Sequence, residues 1–221
     1  LNKNSKKIVF LSNAPRPSLK VIEFLKKMKM DEKFLSKVVT SGEAAMQAVN
    51  QHKFGKNFYH LGPIRDNSIF KKVEENKTSL EKCDFILCTG FFDEEENDLN
   101  YYQSLLKDYT EKKLICTNPD LVVHRGEIEE LCAGSIAKLF ETMGGEVIYY
   151  GKPHKEIYGM CFKKGEKVLA IGDNLRTDIK GANNLNIDSL FIYSGVHRNE
   201  FRKDEDLSKL LKKYNVKTNY F

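Results

Sequence analysis

Two carboxylates stand five residues apart in the segment KVLAIGDNLRTDIKGANN, residues 167–184. The apolar run before Asp173 predicts a buried strand that ends at this residue, and Asp178 follows near the start of the next predicted helix. Ligands bind at the carboxyl ends of open parallel sheets, and paired carboxylates there suit Mg²⁺, which prefers oxygen ligands and keeps several waters. The alternative is that both aspartates only cap a helix, and this segment alone does not decide between the two.

A lysine follows another predicted strand, in the segment YYGKPHKEIY at residues 149–158. Pro153 suits the first position of a helix, so we expect Lys152 at a helix N-terminus facing the same crevice, where its ammonium could neutralise phosphate oxygens. Taken alone, G-K-P also fits a surface lysine. His154 is predicted to pack or to face solvent rather than to bind a ligand.

A third polar position ends the apolar run KIVFLS, residues 7–12. The hydroxyl of Ser12 and the backbone amides at Asn13 could contact a phosphate at the rim of a sheet. An ordinary turn explains the same residues, because Ser, Asn and Pro all favour turns.

The elements that must position these residues alternate along the chain, which predicts an α/β fold with parallel sheets and helical crossovers. Strands are predicted at 7–12, 57–62, 84–90, 113–118, 146–151, 167–173 and 188–193, and helices at 17–30, 41–51, 97–110, 132–143, 154–163, 175–184 and 204–214.

Composition narrows the function classes. The 221 residues carry a formal charge of +5, with lysines scattered along the chain, which favours a solvated surface over nucleic-acid binding. Hydrophobic residues make up 41%, without an apolar run long enough to span a bilayer, so no membrane role is predicted. The five cysteines form no C-x-x-C pair, which favours reduced thiols in the cytoplasm over disulfides or zinc.

The order of these segments is informative. Strand-Ser, then helix-Lys, then strand-Asp with a second Asp resembles motifs two, three and four of the haloacid dehalogenase (HAD) superfamily of phosphohydrolases. The whole chain is similar to the class IIA branch, which includes NagD-type and p-nitrophenyl-phosphatase-like enzymes. The segments that carry this likeness are SNAPRPS at 12–18, TSGEAA at 40–45, NPD at 118–120, GKPHKEIY at 151–158 and GDNLRTDIKGANN at 172–184.

The resemblance implies a Rossmann-like HAD core with a parallel sheet, interrupted by an inserted α/β cap domain of the C2 type. On this sequence the core would comprise residues 1–40 and 148–221, and the cap residues 41–147.

The resemblance also implies an activity: Mg²⁺-dependent hydrolysis of small organic phosphate monoesters such as sugar phosphates or nucleotides. Ser12, Asn13 and Lys152 would bind the phosphoryl group, with Ser12 and Lys152 acting in catalysis, and Asp173 and Asp178 would hold the metal, with Asn174 as a weaker candidate. In the family mechanism, an aspartate attacks the phosphorus and a second aspartate serves as general acid and base.

The cap would choose the substrate, a small phosphorylated metabolite. Asn118 and Asp120 are the candidates for facing the core, followed by His124 and Arg125, although NPD is as readily a turn with a capping aspartate. His197 could line the rim of the crevice.

The family's first motif, a strand ending in D-x-D, is not found before Ser12, and none of the eleven preceding residues is acidic. Either an N-terminal segment belongs ahead of Leu1, or the protein has lost catalysis. Leu1 is not a methionine, and a parallel core without its central strand would expose two apolar edges. We therefore expect a preceding segment, which an intact mass above 25.5 kDa would reveal.

Two other functions are alternatives to a phosphatase. A non-catalytic protein could keep the phosphate pocket and bind a phosphometabolite without transferring its phosphate. Dinucleotide binding is disfavoured because no G-x-G-x-x-G follows a strand. A homo-oligomer is left open.

Overall fold

The computed structural model of the protein describes residues 6–95, 97–125, 128–200 and 207–221, without the side chains of residues 124 and 125. The strands are β1 (Phe10–Ser12), β2 (Val38–Thr40), β3 (Phe58–Leu61), β4 (Phe85–Cys88), β5 (Lys113–Cys116), β6 (Val122–Arg125), β7 (Ile128–Leu131), β8 (Glu146–Tyr149), β9 (Leu169–Gly172) and β10 (Asp188–Phe191). The α-helices are α1 (Ser18–Lys27), α2 (Ser41–Asn50), α3 (Leu99–Leu106), α4 (Ala133–Thr142), α5 (Lys180–Leu185) and α6 (Leu207–Tyr214). A π-helical turn, Leu175–Ile179, leads into α5.

A four-stranded parallel sheet in the order β3-β4-β5-β8 forms the best-buried part of the molecule. All four residues of β4 are completely buried. Phe85 and Leu87 point to one face of this sheet and Ile86 and Cys88 to the other, as the two-residue period of a strand requires. Helix α2 covers the first face, and α3 and α4 cover the second. Both faces being covered explains why this strand is apolar throughout.

Two smaller parallel pairs carry the strands that precede the candidate residues Asn13 and Asp173. Strand β1 pairs with β2, and β9 pairs with β10, and within the described residues each forms a separate two-stranded sheet. Strand β9 is much less covered than β4: Leu169 is 43% exposed and Ile171 51% exposed. A third cluster, in which Leu175, Ile179 and Phe191 pack against Leu210 of α6, holds the region after β9 together.

The prediction of an α/β fold is confirmed. Each of the seven predicted strands lies within its predicted range, although each is shorter. Strand β2 and the antiparallel hairpin β6–β7 were not predicted. Residues 154–163 do not form the predicted α-helix but contain a 3₁₀ helix, Lys155–Met160. No helix in the described part of the chain is long and apolar enough to cross a membrane.

Candidate phosphate and metal site

Asn13 lies at the end of β1 and joins three parts of the chain. Its side-chain oxygen accepts a hydrogen bond from the Lys152 backbone N–H (2.7 Å), and its amide nitrogen donates to the Lys152 carbonyl (3.1 Å) and to Asp120 Oδ1 (3.2 Å). Asn13 is 5% exposed, so these bonds form in a water-poor setting. The Asn13 side chain therefore holds the backbone of Lys152 and positions it relative to Asp120.

Ser12 stands beside this junction. Its Oγ accepts a hydrogen bond from the Ala14 backbone N–H (3.2 Å), which closes a short turn after β1. A serine hydroxyl that accepts one bond still has a proton to donate, so the group can contact an anionic oxygen from this position.

The sequence had predicted Lys152 at a helix N-terminus. In the structure Lys152 instead lies in a turn after β8. The His154 N–H donates to the Gly151 carbonyl (2.9 Å), so the chain turns first and the 3₁₀ helix begins only at Lys155. Gly151 has φ of +122°, and a Cβ there would crowd Asn13 Oδ1. Only glycine fits this turn easily, and the turn sets the direction of the lysine.

The Lys152 ammonium forms an ion pair with Asp178: Nζ lies 2.7 Å from Oδ1, and both side chains are at most 15% exposed. Burial alone would lower the pKa of Lys152, but the carboxylates of Asp178 and Asp120 outweigh it and raise the pKa. The lysine is therefore held in its charged form.

Asp178 also organises the loop that follows β9. Its second oxygen accepts the backbone N–H groups of Asp173 (3.2 Å) and Asn174 (3.1 Å). A Cβ at Gly172 would collide with the Asp178 carboxyl group, so glycine is needed before Asp173. Asp173 Oδ2 in turn accepts the Val196 N–H at 2.9 Å. The two aspartates predicted from the sequence thus lie in one hydrogen-bonded loop, beside Lys152.

Asp120 lies in the turn after β5 and is partly buried. Burial raises the pKa of this carboxyl group, against the lowering effects of Lys152 and of the Asn13 hydrogen bond. Asn118 does not face the same way, because its Oδ1 accepts the Asp120 N–H (3.2 Å) and closes the turn. Of the two candidates in NPD, Asp120 is the one that bonds to Asn13 and whose charge acts on Lys152.

A pocket of about 240 Å³ opens between this turn and the loop after β9. His154 stacks nearly parallel on Tyr149 with ring centroids 5.1 Å apart, and both rings line the pocket. The lining residues are Pro119, Asp120, Leu121, Val122, Gly134, Lys138, Glu141, Tyr149, Pro153, His154, Asn174, Arg176 and Thr177. The side chains of His124 and Arg125 lie outside the described residues.

His197 does not line the rim of a crevice: it is completely buried. Its Nε2 accepts the Leu175 N–H (3.1 Å), and its Nδ1 lies 2.7 Å from Glu200 Oε1. In the sequence, the residue of this segment that points to the site is Gly195. A Cβ at Gly195 would collide with the Asp173 carboxylate, so the segment must pass close to Asp173.

The candidate metal site is the carboxylate pair of Asp173 and Asp178. Among the described residues no group of three His, Cys, Asp or Glu side chains could hold a metal ion. Asp173 and Asp178 nevertheless supply two hard carboxylates, which suit an ion that keeps several waters and takes further ligands from a phosphate. The chemistry of this pair fits Mg²⁺, and the cationic Lys152 beside it suits the same anionic ligand.

This arrangement defines the protein as an α/β protein that gathers an ammonium, a hydroxyl and two carboxylates at the carboxyl ends of parallel strands. Two family models match the chain, the Haloacid dehalogenase-like hydrolase model at residues 1–75 and the HAD-hydrolase-like model at residues 149–214. The crystal structure of a haloacid dehalogenase-like hydrolase from Brucella suis 1330 has a TM-score of 0.82 and 28% identity, covering 94% of this chain and 81% of that one.

Two curated relatives are also similar to this chain. The 5'-nucleotidase YutF of Bacillus subtilis is 25% identical over 177 residues, which are 76% of this chain and 66% of the relative. The ribonucleotide monophosphatase NagD of Escherichia coli K12 is 31% identical over 88 residues, which are 38% of this chain and 34% of the relative. The matched part thus spans less than two thirds of either relative. The two family models, the curated relatives and the Brucella structure together support the assignment of the chain to the haloacid dehalogenase-like hydrolases, in their class IIA, NagD-like branch.

Proposed function

We propose that the protein is a Mg²⁺-dependent phosphatase that acts on a small phosphate monoester such as a nucleotide or a sugar phosphate. The observation that carries this proposal is the part-buried ion pair of Lys152 Nζ and Asp178 Oδ1, 2.7 Å apart, beside the loop that holds Asp173. A cation kept charged beside two carboxylates suits a ligand that is itself anionic and brings a divalent metal with it. A 5'-nucleotidase and a ribonucleotide monophosphatase among the relatives support the same substrate class.

Each residue receives a role from its position. The Lys152 ammonium would neutralise a phosphoryl oxygen, and the Ser12 hydroxyl would donate a hydrogen bond to another. Asn13 would act through the backbone of Lys152 rather than on the phosphate. Asp173 and Asp178 would hold Mg²⁺, which when bound supplies positive charge where negative charge accumulates on the transferring group.

The nucleophile is the remaining requirement. An aspartate that attacks phosphorus would have to stand near Ser12, Lys152 and Asp173, on a strand other than β1. Within the described residues β1 and β9 each pair along one edge only, so their other edges offer a place for one further parallel strand. We assign the nucleophilic aspartate and the general acid to that strand, as the family mechanism requires.

The predicted cap, residues 41–147, would supply the surface that meets the leaving group, and Asp120 would be its contact at the phosphate. Asp120 is partly buried and accepts a hydrogen bond from Asn13, so it can also hold the cap against the core.

The test is phosphate release by the full-length protein from p-nitrophenyl phosphate, a set of nucleoside monophosphates and a set of sugar phosphates. We expect turnover that EDTA abolishes and Mg²⁺ restores. Turnover in the presence of EDTA would contradict the metal requirement.

The second candidate is a protein that binds a phosphometabolite without hydrolysing it, because the ammonium of Lys152 beside Asp178 could hold a phosphate without any nucleophile. Micromolar calorimetric binding of a nucleotide, with no phosphate released over hours in Mg²⁺, would support this candidate and overturn the phosphatase proposal.

A further inference from the structure

A set of side chains outside the ion pair surrounds the loop that carries Asp173. His197 is completely buried, and its ring lies edge-on to Tyr214 with centroids 4.7 Å apart. The carboxylate of Glu200 lies between them, 2.7 Å from His197 Nδ1 and 2.7 Å from the Tyr214 hydroxyl. We call His197, Glu200 and Tyr214 the support triad.

The loop needs such support because its backbone donors have no partners in a regular element. Four consecutive N–H groups follow β9, and each donates to a side chain. Asp173 and Asn174 donate to Asp178 Oδ2, and Leu175 donates to His197 Nε2. Arg176 donates to Asn174 Oδ1. Of the three side chains that accept these bonds, only His197 comes from outside the loop and the helical turn that follows it.

The hydrogen bonds define the form of the His197 ring. Because Nε2 accepts the Leu175 N–H, it carries a lone pair and the proton sits on Nδ1. Nδ1 then donates to Glu200, which fixes both the tautomer and the ring plane.

Glu200 is held as a carboxylate. Burial would raise its pKa, but hydrogen bonds from Lys213, Tyr214 and His197 lower it to about 2. The Tyr214 hydroxyl also accepts a hydrogen bond from the Arg176 guanidinium at 3.1 Å. The triad therefore grips the loop at two successive residues, through the backbone of Leu175 and the side chain of Arg176.

The same segment touches Asp173 directly. Two residues before His197, Gly195 lies so close to the Asp173 carboxylate that a Cβ would collide with it, and the Val196 N–H donates to Asp173 Oδ2. Anchoring His197 therefore fixes the position of its neighbour Val196, whose N–H orients the carboxylate of Asp173, the proposed metal ligand.

We propose that His197, with Glu200 and Tyr214, is a positioning residue that presets the Asp173 carboxylate for Mg²⁺. The inference rests on the proposed function, since it assumes that Asp173 is a metal ligand. Partners that orient a ligand in this way typically change metal affinity by about 10–100-fold when they are replaced.

The test uses two replacements of His197 in the full-length protein. His197→Phe keeps the ring packing but removes the acceptor for Leu175 N–H, whereas His197→Gln keeps an acceptor. We expect the calorimetric Kd for Mg²⁺ to rise about 10-fold or more in H197F and to stay within about threefold in H197Q. Amide hydrogen exchange at Leu175, measured in EDTA, should quicken in H197F and not in H197Q.

Controls separate positioning from stability. His60→Phe removes another buried histidine, remote from Asp173, and should lower Tm in EDTA without changing the Kd for Mg²⁺.

If H197F fails to fold, Glu200→Gln and Tyr214→Phe take its place, with an expected rise in Kd of at least threefold for E200Q. An H197F or E200Q protein with lowered Tm but unchanged Kd would overturn the inference, because the triad would then be structural only. A wild-type protein that hydrolyses phosphate esters but binds no Mg²⁺ would overturn the metal site and this inference together, while leaving phosphatase activity intact.

Discussion

The four-stranded sheet and the strand pair β9–β10 are made of similar apolar residues but are stabilised differently. In β4 every side chain is buried between helices on both faces, whereas in β9 Ile171 is half exposed and the strand is followed by a loop held by side-chain hydrogen bonds. The first region is stabilised mainly by burial, and the loop of the second by polar contacts that also shape the candidate site. We therefore expect substitutions in the four-stranded sheet to lower mainly stability, and substitutions around the loop after β9 to lower mainly activity.

Lys152 gives the largest expected effect. Lys152→Ala removes the only ammonium that the described residues place on Asp178, and we expect phosphatase kcat/KM to fall about 10³-fold, or about 4 kcal/mol, because a preorganised charge is lost. Steady-state kinetics with p-nitrophenyl phosphate provides the measurement. Lys155→Ala, at an exposed lysine three residues further on, is the control and should keep wild-type kinetics.

A matched isoleucine pair tests the comparison directly. Ile86→Ala in β4 leaves a cavity in a fully buried position and should cost about 3 kcal/mol in the free energy of unfolding. Ile171→Ala in β9 should cost less than about 1 kcal/mol, because the side chain is 51% exposed. Urea titration of both variants gives the numbers. Equal losses would mean that β9 is covered as fully as β4 in the folded protein.

The buried His60 beside the four-stranded sheet should make stability depend on pH. Burial, with a smaller effect of Lys77, lowers the pKa of His60 to about 4. Below pH 6.5 His60 is protonated in the unfolded chain, whereas in the folded chain it stays neutral down to about pH 4. The free energy of unfolding therefore falls by up to about 3 kcal/mol as the pH drops through this window. His60→Phe should be flatter than the wild type between pH 7 and 4.5 in urea titrations. Parallel curves would show that His60 takes up its proton without unfolding.

Asn13 gives a smaller effect that sharpens the contrast. Asn13→Ala leaves the Lys152 backbone and Asp120 without their partner, so we expect a loss of about 1–2 kcal/mol in stability together with a tenfold or larger drop in kcat. Asn183→Ala is matched, because Asn183 clamps the backbone of Lys217 in the same bidentate way, away from the site. It should lose similar stability and keep wild-type kcat. If both variants lost kcat alike, Asn13 would have no special part in placing the lysine.

The sequence predicted the strands and the polar residues at their ends because apolar runs and their boundaries are local signals. It also predicted that Lys152, Asp173 and Asp178 would meet, since parallel strands bring their carboxyl ends to one edge. It was wrong about the helix at Lys152, because the turn closed by Gly151 and His154 precedes the helix.

The support triad was not predictable either. His197, Glu200 and Tyr214 come together through the fold of residues after β10, and nothing in their spacing shows that their side chains converge beneath Asp173. The domain boundaries at 40 and 147, and the roles of Ser12 and Asp120 towards substrate, stay predictions.

Two buried thiols in the four-stranded sheet have a practical consequence. Cys88 and Cys116 are register partners on β4 and β5, both completely buried, and burial raises the pKa of each thiol. A thiol reagent can reach them only when the sheet opens, and opening also removes the burial that keeps each thiol in its neutral, slowly reacting form. The rate at which these two cysteines are labelled is therefore a built-in clock for how often the four-stranded sheet opens.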